Sequence, residues 1–175
     1  MDAAGAPAGL AVWAMIETPA GVLAAAAIAA SPRVGALVVG TNDLATELRA
    51  ARVPGREPLA YALGACVVGA RTAGVAALDG VYNDTADADG FAAECRQGAA
   101  LGFDGKTLIH PGQIAAANAA FSPSDEDVAW ARRVVAAFAA GAGAGVLAVD
   151  GVMVERLHLD EARRVLARAG DGPRG

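Results

Sequence analysis

Two acidic residues follow apolar runs that have the composition of buried β-strands. Glu17 comes directly after residues 11–16, and Asp43 comes shortly after residues 35–40. In α/β proteins ligands bind at the carboxyl ends of parallel strands, so the two carboxylates are candidates for a shared cation site. Mg²⁺ suits such a pair because it retains several waters and takes further oxygen ligands from substrate. The alternative is that both acids only cap or begin helices.

The elements that must position these acids are strand-like apolar runs that alternate with alanine-rich, helical segments. Strands this apolar are typical of a parallel sheet covered on both faces. Strands are expected at residues 11–16, 36–39, 74–78 and 106–109. Helices are expected at residues 19–30, 43–50, 57–73, 87–101, 112–119 and 124–140. A short strand at 146–149 and an arginine-rich helix at 160–169 complete the predicted α/β pattern.

Four βα units fit either half of an eight-stranded TIM barrel or a small open sheet. The pattern alone leaves both open, but the sequence lacks the Gly-x-Gly-x-x-Gly and P-loop motifs of nucleotide-binding open sheets, which favours the barrel half. We therefore expect an irregular or disordered N-terminus at residues 1–10, a partial (β/α) barrel domain at 11–140 and a C-terminal appendage at 141–175.

Composition excludes several other classes of protein. The 175 residues carry a net charge of -5 without a basic stripe, which argues against binding to nucleic acid. The apolar stretch at residues 20–30 is well short of the roughly 20 residues that a membrane span needs. Cys66 and Cys95 stand alone, which argues against a zinc site or a disulfide framework and favours the reducing cytoplasm.

Four motifs in a fixed order resemble the citrate lyase β-subunit-like family, the CoA-ester lyase branch of the HpcH/HpaI aldolase superfamily. The resemblance covers nearly the whole chain from about residue 10. It is carried by MIETPAGV at residues 15–22, GTNDL at 40–44, LDGVYND at 78–84 and GFDGKTLIHPGQI at 102–114.

The resemblance implies a TIM barrel and Mg²⁺-dependent cleavage or formation of a C–C bond next to a CoA thioester. The family's metal ligands match Glu17 and Asp43 here. The implied substrates are a 3-hydroxyacyl-CoA of the citryl-CoA or malyl-CoA type and the 2-oxo acid released from it. In that reaction Mg²⁺ polarises an oxygen of the oxo acid, while a general base handles a proton.

The sequence departs from the family pattern at its front. Family members carry about four further βα units before the strand at residues 11–16, including an arginine that grips the substrate carboxylate. The chain is therefore expected to match the C-terminal half of the barrel and to form a homo-oligomer or to pair with an N-terminal half. A half barrel on its own would expose sheet edges and an apolar face.

Three further residues are candidates for the site. Family members end with a Gly-x-Met-[Ile/Val]-Asp segment whose Asp acts as an acid/base group in a neighbouring subunit, and Glu155 stands at that position here. Glu155 is one methylene longer than Asp, so the alternative is a solvated acid at a helix start. His110 and Asp79 are candidates for substrate binding. Their alternatives are a loop histidine that caps a backbone carbonyl and a turn-forming Asp before Gly80.

Three functions remain open on the sequence alone. The first is a Mg²⁺-dependent CoA-ester lyase. The second is a catalytically silent remnant or assembly partner of such a lyase, which the missing arginine and Glu155 favour. The third is an aldolase that acts on free 2-oxo acids. The run at residues 102–114 and the C-terminal appendage favour the CoA branch over this third possibility.

Overall fold

Two structural units, separated between Phe121 and Ser122, make up the protein in a computed structural model that describes residues 7, 9–141 and 143–170. The first unit holds a four-stranded parallel sheet with strands in sequential order. Its elements are β1 (Val12–Ile16), α1 (Pro19–Leu23), α2 (Ala25–Ala29), β2 (Val34–Val39), α3 (Thr41–Glu47), a 3₁₀ turn (Glu57–Leu59) that leads into α4 (Ala60–Ala73), β3 (Ala76–Asp79), α5 (Ala88–Leu101), β4 (Gly105–Lys106), a second 3₁₀ turn (Pro111–Gln113) and α6 (Ile114–Phe121).

The core of this unit lies between one face of the sheet and helices α1, α2 and α4. Ile16, Leu37 and Val39 point into it and are 1% exposed or less. Leu63 and Cys66 of α4 pack against them. These findings confirm the expected α/β fold with a parallel sheet, while the identity of the sheet as half of a barrel stays a prediction.

The opposite face of β1 is uncovered in this unit. Side chains alternate across a strand, so Trp13 and Met15 point away from the face that carries Ile16. Trp13 is 64% exposed and Met15 57% exposed. The apolar strands predict a sheet that is covered on both faces, but in the described residues helices cover β1 on one side.

Two elements differ from the sequence expectation because of tertiary contacts. The helix expected at residues 19–30 is broken at Ala24, next to the point where Gly69 of α4 approaches the backbone of Ala25. The strand expected at residues 106–109 ends at Lys106. There the backbone N–H of Thr107 donates to the carbonyl of Asp79, and the chain then leaves the sheet.

The second unit consists of α7 (Asp125–Ala140), the antiparallel strands β5 (Val146–Val149) and β6 (Val152–Glu155), and α8 (Arg156–Arg168). Residues 124–140 are predicted from the sequence to belong to the barrel domain. The structure groups them with the C-terminal elements, because Ala131 and Val134 pack against Val149, Val154 and Ala162 in a separate core.

The hairpin in this unit was not expected, and α8 begins four residues before the expected helix. Asp150 and Gly151 connect β5 to β6 with φ values of 50° and 79°, the backbone that a two-residue hairpin turn requires. Among the described residues, no helix combines the length and the apolar character needed to cross a bilayer.

Candidate functional site

Glu17 and Asp43 follow two strands that are direct neighbours in the sheet. Ile16 at the end of β1 pairs with Val39 at the end of β2, so both chains leave the sheet at the same edge. Glu17 is the next residue after β1 and is half-buried. Asp43 is exposed in the first turn of α3, which begins two residues after β2.

Gly40 connects β2 to α3 and contacts the end of β1. Its backbone N–H donates to the carbonyl of Ile16 at 2.9 Å and thereby extends the ladder between β1 and β2 by one bond. A Cβ atom on Gly40 would lie 2.6 Å from Cβ and 2.9 Å from Oε2 of Glu17. The Glu17 side chain therefore lies across Gly40, against the start of the helix that carries Asp43, and a larger residue at position 40 would displace it.

The start of α3 is also held from the side of β3. The side-chain amides of Asn42 and Asn83 exchange two hydrogen bonds, of 3.1 Å and 2.6 Å. A Cβ atom on Gly80 would lie 2.6 Å from Oγ1 of Thr41, so the loop after β3 touches the first residue of α3. Asp43 thus follows two residues whose positions are fixed by a neighbouring loop.

The pair of carboxylates fits a hard divalent cation that is only partly enclosed by protein. Within the described ranges no cluster of three or more His, Cys, Asp or Glu side chains is arranged to hold a metal, so a closed, all-protein cage is not present there. Two carboxylates that leave most coordination positions to water and substrate match the requirements of Mg²⁺. Glu17 and Asp43 are the residues that would hold it.

Asp79 ends β3 in a buried network of charges. Its Oδ1 accepts from Arg56 Nη1 and from the N–H of Gly80, both at 2.8 Å, and its Oδ2 accepts from Lys106 Nζ at 3.0 Å. Lys106 also donates to Glu94 at 2.6 Å. The Asp79 and Lys106 side chains are both 0% exposed. Two cations and two anions therefore compensate one another, as buried charges require.

Arg56 brings the loop before α4 into this network. It adopts a left-handed backbone, with φ of 56°, and its Nε lies 2.9 Å from Oε1 of Gln97 and 3.4 Å from Oε2 of Glu94. Gln97 in turn donates to the carbonyl of Gly55. Arg56 Nη2 is buried and has no hydrogen-bond partner among the described residues. The loop at residues 51–56 is thereby fastened to the ends of β3 and β4.

A pocket of about 520 Å³ lies above this network. Its wall carries the Asn42–Asn83 amide pair and the hydroxyl of Tyr82, which donates to Asp87 Oδ2 at 2.6 Å. This hydrogen bond is the largest cause that raises the pKa of Tyr82 to about 12, and it lowers the pKa of Asp87. At neutral pH the pocket therefore presents a protonated phenol and an ionised carboxylate. Its polar lining also includes Thr41, Arg52, Arg56, Asp84, Glu94 and Gln97.

His110 begins the 3₁₀ turn that follows β4. Its Nδ1 accepts from the backbone N–H of Gly112 at 3.1 Å, so the imidazole caps an amide rather than the expected carbonyl. That bond requires Nδ1 to be unprotonated and directs the ring proton to Nε2. The side chain is exposed. A substrate contact by His110 stays a prediction.

Glu155 lies in the second unit, at the end of β6, as the residue before α8. Its backbone N–H donates to His158 Nδ1 at 2.9 Å, which ties the first turn of α8 to the strand. The side chain is half-buried. An acid/base role for Glu155 stays a prediction, as does direct substrate contact by Asp79, whose two carboxylate oxygens both carry hydrogen bonds within the protein.

Sequence reasoning missed Arg56, Glu94 and the Asn42–Asn83 pair. One signal was available: Lys106 lies next to an apolar run, and a lysine buried in a sheet requires a carboxylate partner. Asp79, at the end of the adjacent strand, was the obvious candidate. No local signal identifies Asn83 as the partner of Asn42, because the two residues are 41 positions apart.

Comparison with known proteins points to one family. A model of the HpcH/HpaI aldolase/citrate lyase family matches residues 2–111. The (3S)-malyl-CoA thioesterase of Cereibacter sphaeroides is 51% identical over 162 residues, which are 91% of this chain and 57% of that protein. Citrate lyase subunit beta of Escherichia coli K12 is 40% identical over 93% of this chain and 55% of that protein. The chain thus spans little more than half the length of these relatives.

A solved structure of this kind is CitE of Mycobacterium tuberculosis in complex with magnesium, acetoacetate and coenzyme A. It superposes with a TM-score of 0.78 and 37% identity, covering 91% of this chain and 61% of that chain.

Proposed function

The chain belongs to the HpcH/HpaI aldolase/citrate lyase family, and we propose that it carries the magnesium-binding part of a carbon–carbon lyase. The substrate is a 3-hydroxyacyl-CoA of the citryl-CoA or malyl-CoA type, which is cleaved to a 2-oxo acid and an acyl-CoA. The observation that carries the proposal is the placement of Glu17 and Asp43 after paired strands, with Gly40 leaving room for the Glu17 side chain at the start of α3.

Glu17 and Asp43 supply the two protein oxygens that anchor Mg²⁺. When bound, the ion supplies Lewis-acid polarisation of the oxo-acid oxygen and orients that end of the substrate. The half-buried Glu17 and the exposed Asp43 would hold the ion, and the exposure of Asp43 would leave it accessible to substrate.

The remaining candidate residues take supporting roles in this proposal. Asp79 holds Arg56 and Lys106 beneath the pocket, since its oxygens are already engaged. His110, with its ring proton on Nε2, offers a hydrogen-bond donor to an anionic group of the substrate. Glu155 acts as the acid/base group that moves a proton to or from the acyl-CoA carbon, from a neighbouring subunit as the family pattern implies.

The sheet is proposed to be the C-terminal half of an eight-stranded barrel. Four parallel strands in sequential order, with helices on one face, are what half of such a barrel contains. Trp13 and Met15 lie on the other face of β1, where the layers of a barrel interior would be, and both are exposed here. This supports a role as one member of a larger assembly, either a homo-oligomer or a pair with an N-terminal half. A cytoplasmic location is proposed from the two unpaired cysteines, Cys66 and Cys95.

The exposed face of β1 also favours a second candidate function, a catalytically silent assembly partner of such a lyase. Both candidates predict association, but they differ in turnover. The lyase predicts acyl-CoA release that depends on Mg²⁺, whereas the silent partner binds without releasing product.

Product analysis with citryl-CoA and malyl-CoA tests the proposal. The chain is assayed alone and together with the front portion of the Cereibacter sphaeroides relative, with and without Mg²⁺, and products are separated by chromatography. For malyl-CoA, cleavage gives acetyl-CoA and glyoxylate, whereas hydrolysis of the thioester gives malate and free CoA. Mg²⁺-dependent cleavage supports the lyase. Mg²⁺ binding without turnover in either setting favours the silent partner.

A further inference from the structure

The Asn42–Asn83 amide pair is a polar link between the helix that carries Asp43 and the loop that follows β3. Each amide donates through Nδ2 and accepts through Oδ1, so the two planar groups are joined by two hydrogen bonds of 3.1 Å and 2.6 Å. A reciprocal pair of this kind fixes both the distance and the relative orientation of the two side chains, which a single hydrogen bond does not.

Asn42 is fixed at its backbone as well. Its carbonyl accepts from Arg52 Nη2 at 3.2 Å and from Thr46 Oγ1 at 3.1 Å. Because Asp43 is the next residue, the hydrogen bonds made by the side chain and the carbonyl of Asn42 fix the position of the Asp43 backbone. Asp43 itself is exposed and receives little restraint from packing.

Asn83 can serve as an anchor because its loop is fastened at several points. The loop starts at Gly80, whose N–H donates to the buried Asp79 at 2.8 Å. The carbonyl of Tyr82 accepts from the buried Gln113 at 3.0 Å, and the Tyr82 ring packs edge-on against Phe91 at 5.9 Å. Asn83 therefore projects from a loop that the sheet, α5 and the turn before α6 hold in place.

We propose that Asn83 is a positioning residue for the metal site: through Asn42 it sets the place of the Asp43 carboxylate relative to Glu17. This inference rests on the proposed function, since it assumes that Asp43 binds Mg²⁺. Groups that orient metal ligands from behind contribute about 10–100-fold to metal affinity in characterised sites.

The geometry gives Asn83 this role without contact to the metal. Glu17 is set against Gly40 on one side of the start of α3, and Asn83 holds the other side. Loss of the amide pair leaves both carboxylates present but allows the first turn of α3 to shift. Because each amide needs the other to form the two hydrogen bonds, removing either one should shift the first turn of α3 as much as removing both.

The test is Mg²⁺ titration by calorimetry, supported by the electron paramagnetic resonance spectrum of bound Mn²⁺. The variants are Asn83→Leu, Asn42→Leu and the double variant, since leucine keeps the branching of asparagine at Cγ but forms no hydrogen bond. Asn118→Leu on the exposed face of α6 is the matched control. We expect each single variant to weaken Mg²⁺ binding about 10-fold, the double variant to weaken it no further, and the Mn²⁺ spectrum to change.

Two results would overturn the inference. One is a Kd within twofold of the wild-type value in Asn83→Leu, even with a lower Tm, which would mean that the pair is structural only. The other is an additive loss in the double variant. If Asn83→Leu does not fold, Asn83→Ser is measured in the same way. Glu17→Gln and Asp43→Asn distinguish failure of the proposed metal site from failure of the positioning role of Asn83. If both variants retain Mg²⁺ binding, the proposed metal site is wrong. If both lose Mg²⁺ binding while Asn83→Leu retains it, only the role of Asn83 is wrong.

Discussion

Gly40 lies so close to Glu17 that a methyl group at position 40 would come within 2.6 Å of the Glu17 Cβ and 2.9 Å of its Oε2. Real Cβ atoms do not tolerate such distances, so one of the two residues would have to move. Gly40 has φ of -86°, which any residue adopts, and so the requirement for glycine comes from space rather than from backbone conformation. The position of Glu17 thus depends on the absence of a side chain one strand away.

Gly40→Ala is expected to weaken Mg²⁺ binding on the order of 10-fold, because it displaces a proposed ligand while leaving both carboxylates in the chain. Calorimetric titration with Mg²⁺ measures the change. Gly64→Ala in α4 is the control, since a Cβ there meets nothing within 4 Å. Equal Mg²⁺ affinity in Gly40→Ala and the wild type would show that Glu17 is not held where binding requires it.

Gly69→Ala is expected to lower the free energy of unfolding by about 1–3 kcal/mol, as overpacking does. A Cβ on Gly69 would lie 2.9 Å from backbone atoms of Ala25 and Ala26, which cannot rotate away. Gly64→Ala lies in the same helix but in open space, so it should raise stability by about 0.5–1 kcal/mol. Urea unfolding of the two variants compares them directly, and a stability loss of equal size in both would contradict the close approach of α2 and α4.

Lys106→Met is expected to cost about 3–5 kcal/mol of unfolding free energy, because it removes one of the two cations beside Asp79 and Glu94 and leaves Arg56 to compensate both carboxylates. Lys106 is 0% exposed and Glu94 is 14% exposed. Arg163→Met removes an exposed partner of Asp160, and should change stability by less than about 1 kcal/mol. Guanidinium chloride unfolding measures both. A change in unfolding free energy as small in Lys106→Met as in Arg163→Met would mean that the Lys106 ammonium is hydrated rather than buried.

The stability of the first unit should fall at high pH through Cys66. Burial raises the pKa of its thiol from 9.0 to about 11. The unfolded chain therefore loses this proton near pH 9 and the folded chain only near pH 11. Stability from this group is fully present below pH 9 and is lost as pH rises from about 9 to about 11. Urea midpoints of the wild type and Cys66→Ala across this range should converge as pH rises, and parallel curves would contradict the assignment.

How much of the fold and of the candidate site can be predicted from the sequence depends on how far apart the interacting residues lie along the chain. Glu17 and Asp43 were located from strand ends, a local pattern. The helix start expected at residue 124 is equally local, since the three hydrogen bonds between Ser124 and Asp127 lie within four residues. The pair Asp150–Gly151 is typical of a hairpin turn, but the runs on either side of it are too short to predict strands clearly. The strand β6 was therefore not predicted. The network of Arg56 with Asp79 could not be predicted, because its partners meet only through the order of the strands.

The same reasoning explains the element boundaries. No glycine or proline lies next to Ala24, so the break there had no signal in the sequence and follows from contact with α4. Likewise β4 was expected to continue through apolar residues. Its pairing ends at Lys106 because β3 itself ends at Asp79: the N–H of Thr107 makes the last ladder bond, to the carbonyl of Asp79, and the N–H of Ile109 donates to the side chain of the buried Gln113.

The most direct test of the account is a Mg²⁺ titration of the wild type, Glu17→Gln and Asp43→Asn, with Asp89→Asn as control. Asp89 is an exposed acid in the first turn of α5, as Asp43 is in the first turn of α3, so it represents the alternative of a helix-start acid without a metal. The account predicts that Glu17→Gln and Asp43→Asn each lose at least about 10-fold in Mg²⁺ affinity while Asp89→Asn binds as the wild type does. Unchanged affinity in both of the first two variants would contradict it.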